Sequence, residues 1–191
     1  DVGAALRTNV ASSYRAGVEL QCTARLHPHW SISANATLSR NRINDYVEYV
    51  DDWDNGGQVR VEHAGTDIAF SPSVIAGGEL TTIVWNSPRF GNASITWASK
   101  YVGKQFLDNT SSDDRALDAY LVNDVRANLA FTGIIGLDEV VIHLSVRNIF
   151  SEEYESNGWV YSYFSEMRRQ EMVGLFPQAP LNFLGGVTVR F

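Results

Sequence analysis

The residues of this chain that could perform catalysis are a histidine and a serine two positions apart in one alternating segment. His143 and Ser145 share a parity, and Asp124 lies in the preceding segment. A serine, a histidine and an acid form hydrolytic triads, in which the histidine removes the serine proton. The same spacing also arises on the polar face of any strand, and no G-x-S-x-G elbow is present. We therefore expect a polar surface here and no enzyme.

Two other short stretches contain residue types that bind metals. In D-D-W-D-N-G-G, Asp52 and Asp54 have the spacing that begins a calcium loop. The glutamate that such a loop needs at its twelfth position is replaced by His63, so the pair is only a weak calcium candidate. His27 and His29 flank a proline but lack a third ligand. We predict no metal and no cofactor.

Aromatic residues in the long connections are the candidates for ligand contact. Rings with polar tips stack on sugars, haem or catecholate chelates. The candidates are Tyr49, Trp53, Trp159, Tyr161 and Tyr163. Two alternatives stay open, since these rings could pack the loops together or form an interface girdle. Tyr161 and Tyr163 share a parity and could extend a wall.

Seven segments alternate between apolar and polar residues, which indicates β-strands. They are approximately 14–26, 30–39, 68–85, 92–101, 124–131, 140–147 and 182–191. One face of each clear strand is aliphatic or aromatic, and the other carries polar and charged side chains. The polar-face residues that we expect to face a lumen are Asp124, Arg126, His143, Arg147 and Arg190.

Short and long connections also alternate along the chain. The short ones are 27–29, 86–90 and 132–138, and the long ones are 44–67, 104–118 and 151–180. In an antiparallel sheet, all short turns then lie at one end and all long loops at the other. This asymmetry favours a transmembrane β-barrel with short periplasmic turns and long extracellular loops. A soluble β-sandwich also alternates and stays open as an alternative.

The composition narrows the class of protein further. The 191 residues are 45% hydrophobic and 19% charged, which excludes a disordered chain. No apolar run reaches the roughly 18–20 residues of a membrane helix. The single cysteine allows no internal disulfide, and the net charge of −7 argues against a nucleic-acid partner. The long connections are acidic, whereas the rest of the chain is not.

The last segment has the alternation of a strand that is part of a wall. Phe183, Val187, Val189 and Phe191 share one parity. This ending resembles the C-terminal signature of bacterial outer-membrane proteins, which implies recognition by the barrel assembly machinery. A barrel needs such a strand for closure, because an open edge leaves backbone groups unpaired in lipid. A terminal strand of a soluble sheet is the alternative.

Four motifs, in the same order, resemble those of TonB-dependent receptors. V-R-N-I-F-S-E-E-Y (146–154) resembles the NLF-D-x-x-Y element, with Ser151 at the usual aspartate position. F-P-Q-A-P-L-N-F (176–183) resembles the entry to the final strand. Y-R-A-G-V-E-L (14–20) resembles the family's GxE strand, and K-Y-V-G-K-Q (100–105) its YVGKQ loop entry. The resemblance covers about residues 7–191.

The resemblance implies an all-β fold, namely about seven antiparallel strands of a barrel with about 22 strands. Residues 1–191 would be the C-terminal part of one barrel domain in a bacterial outer membrane, and a plug would precede them. The implied partners are membrane lipid and lipopolysaccharide, the remaining receptor, the TonB complex, and a ligand such as an iron chelate, haem, cobalamin or oligosaccharide. One further alternative is a small autonomous barrel, adhesive or hydrolytic, with an eighth strand from 2–12 or 157–165.

Overall fold

The computed structural model describes residues 10, 12–134 and 136–191, and this part of the chain contains twelve strands and a short 3-10 turn at Asp113–Arg115. The strands are β1 (Ser13–His27), β2 (Trp30–Asp52), β3 (Gln58–Asp67), β4 (Val74–Ser87), β5 (Gly91–Val102), β6 (Gln105–Phe106), β7 (Ala116–Leu117), β8 (Tyr120–Thr132), β9 (Glu139–Arg147), β10 (Glu155–Ser165), β11 (Arg168–Pro177) and β12 (Asn182–Arg190). The described residues contain no helix that could span a lipid bilayer.

Seven of these strands form one antiparallel wall in the order β1-β2-β4-β5-β8-β9-β12. They are the seven strands expected from the alternating pattern, so the all-β prediction is confirmed. The start of the third predicted strand was wrong: β4 begins at Val74 and not near 68. Pro72 has no N–H for a ladder, and Phe70 has a φ of 50°, so the backbone turns there. Among the described pairings, β1 and β12 each have one neighbour, and the sheet is open.

Strand register keeps like residues opposite one another across the wall. Leu20 pairs with Ala36, and Leu80 pairs with both Ile32 and Trp97. On the other face, the hydroxyls of Thr81 and Thr96 lie 2.9 Å apart. A slip of one residue would move every side chain to the opposite face. The pairing therefore extends the alternation of single strands into one apolar and one polar surface.

The apolar face is exposed and not covered by a second layer in the described residues. The exposed fraction is 61% for Leu20, 65% for Val187 and 73% for Phe183. Cavities of about 450 and 490 Å³ lie instead against the polar face. A sandwich would bury the apolar face between two sheets, so the sandwich alternative does not describe this fold. The apolar stretch of β2 from Trp30 to Leu38 matches the roughly 9–11 residues that span a bilayer.

The first and third long connections are β-hairpins, which the sequence analysis treated as loops. β2 and β3 form the first hairpin, and β10 and β11 form the third. Asn55-Gly56 is a strong turn signal, and Gly56 and Gly57 have φ values of 77° and 81°. Since β2 has 23 residues, the first hairpin extends far beyond the membrane-spanning stretch. The middle connection contains only the short β6–β7 pair and the 3-10 turn.

Of the two segments proposed for an eighth strand, only 157–165 is described in full, and it does not add to the wall. β10 includes 157–165, but it pairs with β11 and with the tip of β2. Most of 2–12 lies outside the described residues. No described strand therefore supplies the closure that a small autonomous barrel requires.

Asn148 explains the local structure of the V-R-N-I-F motif. Its side chain is 3% exposed, and its φ of 49° suits asparagine better than most residues. Its Nδ2 donates to the carbonyls of Glu152 (2.9 Å) and Ala179 (3.2 Å), and its Oδ1 accepts from the Glu152 N–H at 2.9 Å. Its own N–H donates to Asp124 at 2.9 Å. One residue thus fixes the end of β9, the following connection and the approach to β12.

Replacing Asn148 by alanine is expected to lower the free energy of unfolding by about 1–3 kcal/mol, because buried backbone partners lose their hydrogen bonds. Thermal unfolding of the complete protein in detergent measures this loss. Asn92→Ala is the matched control, since Asn92 is exposed on β5. Equal transition temperatures for the two variants would contradict the role assigned to Asn148.

Candidate ligand-binding face at the long-loop end

The two hairpins join at their tips. Tyr163 and Phe164 of β10 pair in parallel with Asp51 and Asp52 of β2. The N–H of Trp53 then donates to the carbonyl of Phe164 at 3.0 Å. Segments more than a hundred residues apart in sequence therefore form one continuous four-stranded surface, in the order β3-β2-β10-β11.

The two calcium candidates stabilise the turns of this surface. The Asp52 carboxylate accepts the N–H groups of Asp54 (3.0 Å) and Asn55 (3.1 Å). The Asp54 carboxylate accepts the N–H groups of Glu166 (2.9 Å) and Met167 (2.8 Å). Within the described residues, no group of three or more His, Cys, Asp or Glu side chains could hold a metal. The weak calcium candidate therefore gains no third ligand.

All five candidate aromatic residues lie on one side of the joined hairpins, here called the aromatic face. The Trp53 ring stacks on Tyr163 with centroids 3.9 Å apart and planes at 20°. Tyr161 lies 5.6 Å from Tyr163, and its hydroxyl donates to Asp51 at 2.8 Å. Trp53 remains 60% exposed and Tyr49 62% exposed. Three of the five rings thus form one contiguous exposed group.

Trp159 is placed by a glycine on the neighbouring strand. It pairs with Gly174 of β11, and a Cβ at Gly174 would overlap the indole ring. The ring therefore lies flat against the backbone of β11. Tyr49 lies further along β2, opposite Arg60 of β3.

The other side of the hairpins holds an ionic cluster, here called the loop clamp, in which Arg115 is buried and its partners are partly exposed. It comprises Glu48, His63, Asp108, Arg115, Arg169 and Glu171. Arg115 is 2% exposed and donates to Asp108 at 2.7 Å, to Glu48 at 3.0 Å and to Glu171 at 3.1 Å. One guanidinium therefore binds acids from all three long connections. The sequence contains no signal for this cluster, because D-D-R in a polar segment is typical of solvated loops.

Glu48 is the acceptor at the centre of the loop clamp. Arg169 donates to it, and His63 Nε2 lies 3.1 Å from its second oxygen. Burial alone would raise the pKa of Glu48, but the hydrogen bonds from Arg169, Arg115 and His63 hold it below its ordinary 4.5. The hydrogen bond from Arg115 likewise lowers the pKa of Glu171. Both carboxylates lie beyond the membrane-spanning part of the strands and are ionised at neutral pH.

Acid is expected to loosen the loop clamp. Since the pKa values of Glu48 and Glu171 are lowered on folding, their contribution to stability is full above the unfolded value near 4.5 and is lost as pH falls through the folded values. Hydrogen exchange of the hairpin amides, corrected for intrinsic rates, should accelerate over that range while β5 amides stay protected. A Glu48→Gln variant should weaken this pH dependence, and an unchanged profile would contradict the assignment.

The five residues expected to face a lumen all lie on the polar face of the wall. Arg126 pairs with Glu79, and Arg190 pairs with Glu139 at 2.8 Å. A cavity of about 490 Å³ is lined by Asp124, Arg126 and Arg147, among others. That the polar face lines a lumen of the complete protein stays a prediction.

No triad is assembled around His143. Its Nδ1 lies 2.7 Å from Asn128 Oδ1, and its Nε2 lies 3.3 Å from Thr188 Oγ1. Asp124 accepts from the Asn148 backbone. The ring nitrogens are thus engaged with neighbours other than Ser145, and this arrangement suits a polar wall.

The proposed assembly signal lies on the opposite face. Phe183 and Val187 pair with Val146 and Ile142 of β9 and extend the exposed apolar surface. Val189 and Phe191 continue the same parity and are also exposed. Recognition of these residues by an assembly machinery remains a prediction.

A single antiparallel sheet with an exposed apolar face, a polar face with cavities and long hairpins at one end has the fold of part of a transmembrane β-barrel. Solved structures that share this fold include the following two. The ferric yersiniabactin uptake receptor FyuA from Yersinia pestis matches 93% of this chain with a TM-score of 0.54 and 19% identity. The siderophore receptor PiuA from Acinetobacter baumannii matches 92% with a TM-score of 0.57 and 16% identity.

The chain spans less than a quarter of the length of each of these two proteins. It covers 23% of the FyuA chain and 22% of the PiuA chain. At these identities the likeness establishes the fold alone, and both similar proteins are receptors by their descriptions. No protein-family model matches the chain, and no curated protein matches its sequence.

Proposed function

We propose that this chain is the C-terminal part of the barrel of a TonB-dependent outer-membrane receptor that takes up an iron chelate. The main support is the match of more than nine tenths of the chain to two receptors described by siderophore binding or uptake. The motif order found in the sequence supports the same family. In this proposal, the wall spans the outer membrane and the joined hairpins lie outside the cell.

The aromatic face and loop clamp suit a role in ligand capture. The clamp fixes three connections in one arrangement, so the exposed rings are positioned before any ligand arrives. Preorganisation of this kind reduces the entropy that binding would otherwise cost. Plug rearrangement and energy from the TonB complex would belong to the remaining receptor. The terminal strand would serve the assembly machinery, and the acidic hairpins could meet lipopolysaccharide through divalent cations.

Uptake of radioactive iron by whole cells tests this function. Cells with the intact gene should accumulate iron from a chelate under iron limitation, and cells without the gene or without TonB should not. Equal uptake in all three strains would contradict the proposal. The intact mass of the native protein in the membrane fraction is an independent check. A complete receptor would have several times the 21.2 kDa mass of these 191 residues.

A further inference from the structure

Negative charge is concentrated at the long-loop end of the molecule. The ranges 45–67, 104–118 and 152–171 contain sixteen of the 22 acidic residues but five of the 15 lysines and arginines. This end therefore has a net charge of −11, whereas the rest of the chain has +4. A field of this sign attracts cations and repels anions before any contact forms.

The basic side chains at this end are largely neutralised by partners. Arg115 and Arg169 belong to the loop clamp on the opposite side of the hairpins. Lys104 lies 2.6 Å from Asp113, and Arg60 lies 2.8 Å from Glu62. Arg168, opposite Ser165, is the remaining cation near the aromatic face.

The aromatic face combines ring surfaces with a carboxylate. Asp51 accepts from the Tyr161 hydroxyl and, at 2.9 Å, from Gln58 Nε2. These hydrogen bonds lower the pKa of Asp51, so it is charged at neutral pH. The neighbouring Trp53 ring has one side on Tyr163 and is otherwise exposed. A positive group above an indole face is attracted by the ring quadrupole, and an adjacent carboxylate adds to this attraction.

We propose that the aromatic face, with Asp51, binds the positively charged part of a ligand, so that the receptor selects cationic over anionic chelates. The inference rests on the proposed function, because it specifies the charge of the chelate that the receptor takes up. An anionic chelate would meet the acidic hairpins at close range, with Arg168 as the main counter-charge. Neutral chelates would gain only ring contact.

A matched set of ligands isolates charge from shape. The probes are a linear ferric trihydroxamate with a free terminal ammonium group, its N-acetyl derivative, which is neutral, and its N-succinyl derivative, which is anionic. Calorimetric titration of the complete receptor in detergent should give about tenfold tighter binding of the cationic than of the anionic probe at low salt. This difference in affinity between the two probes should become smaller at high salt, because the Debye length falls to about 3 Å and the charges are screened.

Two charge-neutralising variants separate the site from the general field. Asp51→Asn should weaken binding of the cationic probe several-fold and change binding of the neutral probe much less. Asp113→Asn removes the same charge in the middle connection, where the side chain is 83% exposed, and should preserve the preference. Trp53→Ala should weaken binding of the cationic probe more than binding of the neutral probe.

The possible outcomes test the preference for cationic chelates separately from the proposed uptake of an iron chelate. Equal binding of the three probes, or a preference for the anionic one, would overturn the inference while keeping an iron-chelate receptor. Equal effects of Asp51→Asn and Asp113→Asn would remove the aromatic face as the site. Failure of all three probes to bind a correctly folded receptor, together with no iron uptake by cells, would overturn both.

Discussion

Replacing Arg115 by methionine is expected to release the three long connections from one another. The variant leaves Glu48, Asp108 and Glu171 without their shared cation, and breaking a buried ionic group by removing one partner costs about 3–5 kcal/mol. The loss should be local, because the clamp lies at one end of the wall. Hydrogen exchange should therefore accelerate in 45–67, 107–118 and 155–177, while β5 and β8 change little.

Lys104→Met is the matched control for Arg115. It removes a cation from the same connection, but the lysine side chain is 44% exposed and pairs with a mostly exposed aspartate. Exposed ion pairs contribute about 0–1 kcal/mol, so exchange should remain close to that of the unaltered protein. If the arginine variant also behaved like the unaltered protein, the clamp would not hold the connections. Ligand binding measured on the same variants would show whether a fixed aromatic face is needed for capture.

Replacing Leu20 by arginine is expected to impair the folded membrane form strongly. Leu20 lies near the middle of the apolar face, and an arginine facing lipid at the bilayer midplane costs about 2–4 kcal/mol. The measurement is the fraction of heat-modifiable, folded protein in the outer-membrane fraction. For Leu20→Arg we expect both a lower fraction of folded protein in the membrane and a lower unfolding temperature in detergent.

Gln21→Arg is the control on the adjacent residue. Gln21 lies on the polar face opposite Asn35, so an arginine there can remain in water. We expect a change of about 0.5 kcal/mol or less, as for most surface substitutions. If both variants reached the membrane equally well, the apolar face would not contact lipid. A greater loss for Gln21→Arg would mean that the two faces have been assigned in reverse.

The seven wall strands could be predicted because their determinants are local. A strand with one apolar and one polar face must alternate, and Leu20 next to Gln21 or Leu144 next to Ser145 reveals both faces without any partner. Antiparallel order follows from the alternation of short and long connections. Pro72 was the exception, since a residue without an N–H ended the ladder earlier than the apolar pattern suggested.

The hairpins were only partly visible in the sequence. Asn55-Gly56 is a turn signal that could have identified the β2–β3 hairpin, with Val59 and Val61 alternating after it. The β10–β11 turn offers no such signal, because Glu166 and Met167 adopt positive φ values of 53° and 55° without glycine or asparagine. Their N–H groups bind Asp54, which comes from the other hairpin. That turn is therefore selected by tertiary contact and not by local preference.

The strands, their two faces and the aromatic candidates could be predicted from local patterns, because each depends on spacing along one segment. The grouping of Trp53 with Tyr161 and Tyr163, and the contacts of Arg115 with three connections, arise from the packing of distant segments. The contacts among these that join different connections link residues 56 to 110 positions apart, and an isolated D-D-R or D-D-W-D is typical of a solvated surface. Burial of Arg115 to 2% exposure depends on three segments closing around it at once. The strength of such ionic interactions depends on the distance between the charges and on their desolvation, and neither quantity can be inferred from the amino-acid sequence.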